Sequence, residues 1–445
     1  MTRALAWEIL RSGATVPSRE VPKYAAQAGL EPRDRALLAH MVRTEVHRRG
    51  TLHALVRHFA TGRPNRDLSA FLRLGFAQLY FMDRVPSHAA VSETVRAAAN
   101  HLGLGKGRYV NAVLRQALRS SREETSGDPR RDLVGRTHSF KDPIFADPVE
   151  HPYLWMEDAL SLPAPLAKRW CKRFGREETI ALATASLGDP RLSLRCVRGD
   201  REELLAELTQ AEIEVHVGGH AATLTAGPAG LASILESAAF REGRLTVQGE
   251  AALRAAELCG AQEGQRWLDL CAAPGGKTAV LAASGAHVLA CDVSPEKIER
   301  LSETLARLGV SDVVEVRVLE DGAAPEESDF DGVLLDVPCS NTGVLARRPE
   351  ARWRWGPKTR RTLAETQVAL LEAGAAKVAL GGCLVYSTCS LESDENQQRI
   401  RSFLESHEGW ELEAESESFP RPNSPEGPVD GGYACRLRRK GPEQG

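Results

Sequence analysis

Two cysteines stand where a nucleophile would be placed. Cys389 closes the apolar, strand-like start of CLVYSTCSLESDEN (383–396), and Cys339 holds the same strand-to-loop position in LLDVPCSNTG further upstream. A thiolate is the attacking form of cysteine, so a thiol exposed at a strand end is a candidate for covalent chemistry. In the second run Asp336 ends the strand, Pro338 stiffens the turn and Cys339 follows, a combination suited to a substrate face. A lone cysteine in such a place is more often a small buried hydrophobe. Two of them, each at the end of a strand, raise the question of why one site needs both.

A second set of residues points to a nucleoside ligand. LDLCAAPGGKT (268–278) is a small-residue loop between a strand and a helix, where backbone N–H groups can approach a ligand closely. The next strand ends in Asp292, about 20 residues further on, where a carboxylate can accept both ribose hydroxyls. Asp321, ending the third strand, is placed to meet an adenine amino group. GxGxxG is missing, and Lys277 lacks the spacing of a phosphate-binding P-loop. An adenosine-containing ligand with a small, non-phosphate tail fits these residues better than a dinucleotide or triphosphate.

The elements that must position these residues follow from periodicity. RWLDL, HVLACD, VVEVRVL, DGVLLDV and CLVYST alternate with helical stretches after Gly249, the pattern of a parallel sheet covered on both faces. In such a doubly wound sheet the fourth and fifth strands lie near the first, so Asp336, Cys339 and Cys389 would face the ligand of the glycine loop. Upstream, Thr2 to Arg119 carries apolar residues at three- and four-residue spacing and predicts an all-helical domain. Residues 121–150 are polar, proline-punctuated and aperiodic, as in a linker. Residues 151–245 mix helical stretches with short strands, as in a small α/β domain. The expected division is therefore 1–120, 121–150, 151–245 and 246–445.

Composition narrows the class. The 445 residues carry a net charge of −3, but residues 1–120 hold 19 Lys and Arg against 8 Asp and Glu, so the helical part is strongly basic. A basic helical domain suits a polyanion partner. The nine cysteines are odd in number and show neither CxxC nor CxxH spacing, which argues for reduced thiols without a metal site. No apolar run reaches the ~18 residues of a membrane span, and the amino terminus does not read as a secretion signal. A cytoplasmic protein is the expectation.

LDLCAAPGGKT, DVPCSNTGVLARRPEARWRW and LVYSTCSLESDEN resemble the successive motifs of the RsmB (Sun-type) RNA cytosine-C5 methyltransferases. RDRALLAHMVRTEVHRRGTLHALV, FLRLGFAQLYFMDRVPSHAAVSETV and YVNAVLRQALR are similar to the NusB-like helical RNA-binding domain that precedes the catalytic part in that family, and REGRLTVQGEAA, with Gln248, to the run that enters it. The resemblance implies a Rossmann-like class I methyltransferase fold, S-adenosylmethionine as methyl donor, and a cytosine of 16S ribosomal RNA, free or in a partly assembled small subunit, as target. It assigns Cys389 as the attacking thiol, Cys339 to adduct release and Asp336 to cytosine binding. Lys277 falls beside the base, and Cys271, Ala272, Ala273, Pro274, Gly275, Gly276, Lys277, Asp292, Asp321 and Asp336 map onto the cofactor pocket. A monomer and no membrane partner are expected. The chain departs from the family pattern at Asn341, where a small Gly or Ala is usual, at Val197, where Asn is frequent, and in DGGYACRLRRK, which lacks an aromatic pair after its DG.

Competing readings are a DNA cytosine methyltransferase, in which Cys339 would attack, the same chemistry on transfer RNA, and a non-catalytic RNA-binding assembly factor. The paired PCS and TCS motifs and the NusB-like run oppose the first. Retention of Lys277, Asp292, Asp336, Cys339 and Cys389 together opposes the last.

Overall fold

The computed structural model describes residues 1–320, 323–421 and 429–441, and these form two compact units. One comprises residues 1–188 with 348–355, the other 189–347 with 356–445. The first is helical: α1 (Thr2–Arg11), α2 (Pro17–Gln27), α3 (Pro32–Phe59), α4 (Arg66–Phe81), α5 (Ser87–Leu102), α6 (Leu104–Ser120), α7 (Pro152–Leu160), α8 (Ala164–Phe174) and α9 (Arg176–Ala185). The amino end of α4 is capped by the Asn65 side chain, which accepts from Leu68 N at 2.9 Å. Its Leu68, Phe71, Leu72, Leu74 and Phe76 are all buried, which makes it the central helix.

Residues 121–150, expected as a linker, are packed. A two-residue antiparallel pair, β1 (Ser121–Arg122) with β2 (Ser139–Phe140), sets the Phe140 ring 5.8 Å from Phe59 and 5.4 Å from Tyr80. Leu133, Ile144 and Phe145 are buried with it. The unit boundary after Gly188 also divides the region expected as one α/β domain. Its helices α7 to α9 bury Trp155, Met156, Leu160, Leu166 and Trp170 within the helical unit, because these apolar faces continue a helical core. The chain returns to this unit at 348–355: buried Arg352 donates to Ser161 O at 3.3 Å and Ser186 O at 3.1 Å, and Trp353 Nε1 donates to Val46 O at 2.7 Å.

In the second unit a small antiparallel sheet has the order β4 (Val215–Val217), β5 (Thr223–Ala226), β3 (Leu192–Cys196), β6 (Leu245–Val247). The large sheet contains β7 (Arg266–Asp269), β8 (His287–Asp292), β9 (Val314–Val318), β10 (Phe330–Asp336), β11 (Val378–Thr388), β12 (Trp410–Ser418) and β13 (Gly432–Arg439), in the order β12-β13-β11-β10-β7-β8-β9. β7 to β11 run parallel, and β13 and β12 join antiparallel. Successive strand residues enter opposite cores: Leu268, Leu335 and Leu384 on one face, Trp267, Leu334 and Val385 on the other. Burial on both faces is why these strands read as continuous apolar runs. After β9 the chain returns to the far side of β7 and enters β10, which creates a switch point whose crevice opens at the carboxyl ends of β7 and β10.

Among the described residues the helical unit buries two acids, Glu45 and Asp158, of which Glu45 lies deeper. Glu45 is fully buried, with Arg73 Nε 2.7 Å from Oε1 and Arg49 Nη2 2.8 Å from Oε2. Burial alone would raise this carboxyl, but the two guanidinium charges and their hydrogen bonds outweigh it and bring the pKa down to about 2 from an ordinary 4.5. Its folded pKa is depressed, so the stabilisation is present above pH ~4.5 and is lost as pH falls through about 2, with a size of roughly 3 kcal/mol by linkage. Glu45→Gln should lower the urea midpoint at pH 7 and flatten stability against pH in that acid window. A variant whose acid-unfolding profile matches the parent would count against this pairing.

Candidate active site

Parallel register builds the site. Asp336, at the end of β10, lies opposite Ser387 of β11, and Ser387 Oγ donates to Asp336 Oδ1 at 2.9 Å. Both chains then turn into loops whose polar atoms have left water and must find partners. They find them in each other. Ser340 Oγ, Thr342 Oγ1 and Ser390 Oγ lie 3.0 to 3.3 Å apart, Leu391 N donates to Thr342 Oγ1 at 2.9 Å, and Gly343 N donates to Cys389 O at 3.0 Å. Fully buried Asn396 donates to Ser390 O at 2.8 Å and accepts from Thr388 Oγ1 at 2.6 Å, while Glu395 Oε2 accepts from Ser340 N at 2.9 Å. A side chain on Gly343 would run into the Gly431 carbonyl, so only glycine allows the loops to close this tightly.

This clasp brings Cys339 Sγ and Cys389 Sγ to 3.3 Å. Cys339 is buried, and its contact with Cys389, together with burial, pushes its thiol well above the ordinary range. Cys389 is the more accessible of the two. Asn341, in left-handed conformation at φ 59°, donates from Nδ2 to Cys339 O at 2.7 Å and accepts at Oδ1 from Cys389 Sγ at 3.2 Å.

The loop after β7 supplies the cation. Lys277 Nζ lies 2.6 Å from Asp336 Oδ2. Burial works to lower the lysine, but the charge and hydrogen bond of Asp336 prevail and hold it above its usual value, with a further contribution from Cys389. The same loop contains Cys271, Ala272, Ala273, Pro274, Gly275 and Gly276, and Ala272 N donates to Cys291 O at 3.0 Å, tying it to the end of β8. Gly275 has φ +102°, and a Cβ there would meet Leu301 Cδ1 at 2.8 Å. Thr278 Oγ1 donates to buried Asp269 Oδ2 at 2.8 Å, and burial pushes that carboxyl up to about 7. Burial, reinforced by Asp269, also raises the Cys271 thiol, which leaves it a poor nucleophile.

Asp292 is buried at the end of β8, where Oδ1 accepts from Val293 N at 2.8 Å and from Lys297 Nζ at 2.9 Å. Asp321 lies outside the described residues. The expected residues Lys277, Asp336, Cys339 and Cys389 thus meet in one site, with the glycine loop and Asp292 adjoining. Sequence reasoning passed over Ser340, Thr342, Ser390, Glu395 and Asn396, although a hydroxyl residue directly after each cysteine was a visible signal. It also left Gln248 without a role. That amide is buried with neither polar atom partnered, 3.4 Å from where a Cβ on Gly276 would stand.

Comparison with known proteins gives the following. The family model "16S rRNA methyltransferase RsmB/F" matches residues 256–424 and the NusB family model residues 3–119. The chain is 33% identical over 402 residues to a probable ribosomal RNA small subunit methyltransferase B of Synechocystis sp., covering 86% of this chain and 84% of that protein. It is 28% identical over 436 residues to a Bacillus subtilis protein of the same name, with 93% and 92% covered. It is 33% identical over 395 residues to the ribosomal RNA small subunit methyltransferase B of Yersinia pseudotuberculosis, with 86% and 84% covered. Among solved structures, that of PH0851 superposes with a TM-score of 0.74 at 24% identity over 98% of both chains. NSun6 from Pyrococcus horikoshii gives 0.54 at 20% identity over 62% of this chain and 98% of its own.

The loop clasp makes a stability prediction of its own. Asn396→Leu takes the amide donor from the Ser390 carbonyl and the acceptor from the Thr388 hydroxyl, which keeps only its bond from Ser390 N, an expected cost of about 2–4 kcal/mol. Urea unfolding followed by tryptophan fluorescence reads it, and a change below about 0.5 kcal/mol would show that the loops do not depend on this amide.

Proposed function

The chain belongs to the RsmB family of small-subunit ribosomal RNA methyltransferases, and on that footing we propose that it methylates C5 of a cytosine in 16S ribosomal RNA through a covalent adduct at C6. It is an S-adenosylmethionine-dependent enzyme. The observation that carries the mechanism is the meeting of two sulfur atoms at 3.3 Å beside the Lys277–Asp336 pair.

The residues fit the cofactor. The loop from Cys271 to Gly276 is shaped by glycine into a close-approach cradle, Asp292 offers a carboxylate for ribose hydroxyls, and the unpartnered Gln248 amide adjoins Gly276 with hydrogen-bonding capacity to spare. When bound, S-adenosylmethionine supplies an electrophilic methyl group on a sulfonium.

Cytosine C5 is too weak a nucleophile to take that methyl unaided. In the proposed reaction the Cys389 thiolate adds to C6, and the electron pair pushed into the ring makes C5 enamine-like. Asp336, with Lys277 beside it, holds the cytosine through N3 and the exocyclic amine. After transfer, C5 bears both the methyl and its original proton. Loss of that proton returns electrons to the ring and expels the Cys389 sulfur, and Cys339 is assigned to this release. Two cysteines are needed because an adduct that forms must also be broken.

A base inside a helix cannot reach such thiols, so the target is an unpaired or flipped cytosine. The basic helical part, residues 1–120, is assigned to phosphate contacts that position the RNA, with affinity that falls as salt rises. Residues 121–188 complete the helical part, 189–245 serve as a small connecting or RNA-binding segment, and 246–445 as the methyltransferase. Asp321 is proposed for the adenine end of the cofactor pocket. The protein acts as a cytoplasmic monomer on 16S RNA, free or within a partly assembled subunit. Among the described residues no helix is long and apolar enough to cross a membrane.

Cys389→Ala is expected to abolish methyl transfer, while Cys339→Ala accumulates a denaturation-resistant protein–RNA adduct. Adduct formation by the Cys389→Ala protein would reverse the two roles. Bisulfite mapping of ribosomal and transfer RNA from cells with and without the gene should show one 16S cytosine losing its mark. Loss on transfer RNA alone would move the target, and no loss anywhere would remove the enzyme assignment.

A further inference from the structure

Asn341 occupies a position that the mechanism above does not use, yet its amide touches both cysteine loops. It lies on the loop after β10 in the left-handed region at φ 59°, a conformation asparagine tolerates better than most residues. The side chain is nearly fully buried. Its orientation follows from the contact with Cys339: the group 2.7 Å from the Cys339 carbonyl oxygen must be the NH2, because a carbonyl there would oppose another carbonyl. The remaining atom, Oδ1, therefore faces Cys389 Sγ at 3.2 Å, and a carbonyl can only accept.

The proton order across the site follows. Cys389 spends its single S–H proton on Asn341 Oδ1. In the 3.3 Å contact between the sulfurs the donor is then Cys339. Removing the Cys389 proton would leave an anionic sulfur against the negative end of the amide dipole. Turning the amide to offer NH2 instead would break the bond to Cys339 O and set two oxygens 2.7 Å apart. The geometry opposes the thiolate as long as the amide stays where it is.

We propose that Asn341 is a positioning residue that holds Cys389 as a neutral thiol in the RNA-free protein, so that the thiolate forms only when the 339–343 loop shifts. This inference rests on the reading of Cys389 as the attacking thiol for its catalytic meaning, though not for its chemistry. Among the described residues Lys277 and the Cys339 thiol also act on the sulfur, with Asp336 paired to Lys277 and Glu395 bonded to the Cys339 loop. All are present in the variants below, so a difference isolates the amide.

The test is the pH dependence of Cys389 alkylation by iodoacetamide in the full-length protein, read by peptide mass spectrometry. Thiolate is the reacting form, so the rate rises with pH to a plateau, and the midpoint reports the thiol. Asn341→Gly, which keeps the left-handed backbone without strain, should move the midpoint down by about one pH unit, so that modification at pH 7 is about tenfold faster. Asn341→Asp should move it up, through like charge. A site merely opened by the substitution would raise the plateau and leave the midpoint in place. Asn341→Ala, with S-adenosylhomocysteine binding as the check on folding, is the second variant. A midpoint that stays or rises in both Asn341→Gly and Asn341→Ala overturns the proposal. The alkylation profile reports the thiol whether or not it attacks RNA, whereas Cys389→Ala in the methyl-transfer assay tests the attack, so the two ideas fail separately.

Discussion

Two loops that leave neighbouring parallel strands carry backbone and hydroxyl groups into a place where water cannot serve them. That constraint organises the site: each loop becomes the other's solvent. Ser340, Thr342 and Ser390 share their hydroxyls, Asn396 and Glu395 take up the remaining carbonyl and N–H groups, and Gly343 lets the backbones close. The sulfur pair at 3.3 Å is a by-product of that closure. The proposed division of work between two thiols needs a fixed separation, and the clasp supplies it.

Charge is arranged with similar economy. Of the acids expected to meet ligands, Asp336 is held by Lys277 and Asp292 by Lys297. An acid paired in this way has lone pairs left for a ligand donor. Asp269, between them and fully buried with only a hydroxyl partner and a long backbone contact, shows the alternative: its carboxyl is pushed up to about 7. The helical unit follows the same rule, with Glu45 buried only because two arginines hold it.

Much of the fold was legible from residue pattern alone. Within DGVLLDV and CLVYST, residues 332–335 and 383–386 are non-polar without alternation because both faces of their strands are covered, and that is the mark of a strand in each. The last two strands, β12 and β13, were not read. Their alternation is filled by charged residues such as Glu411, Glu413, Arg436 and Arg438, and the cross-strand pairs of Glu413 with Arg436 and Arg438 at 2.7 and 2.6 Å hide an edge hairpin behind charge. The packing of residues 121–150 was equally hidden, since its few buried residues, Leu133, Phe140, Ile144 and Phe145, follow no period.

The sequence by itself determined the order of the strands, the glycine loop, the strand-end acids and the presence of two cysteines in equivalent settings, because these are local properties of composition and spacing. Only the tertiary structure decided which of them touch. Lys277 finds Asp336 and Cys339 finds Cys389 across long stretches of chain, through the register that places Asp336 beside Ser387, and register is set by the packing of whole strands. The role of Asn341 belongs to the same class. Nothing in the run CSNTG shows where an amide will point. Its direction follows from the Cys339 carbonyl in the folded loop, and the proposed proton order follows from that direction.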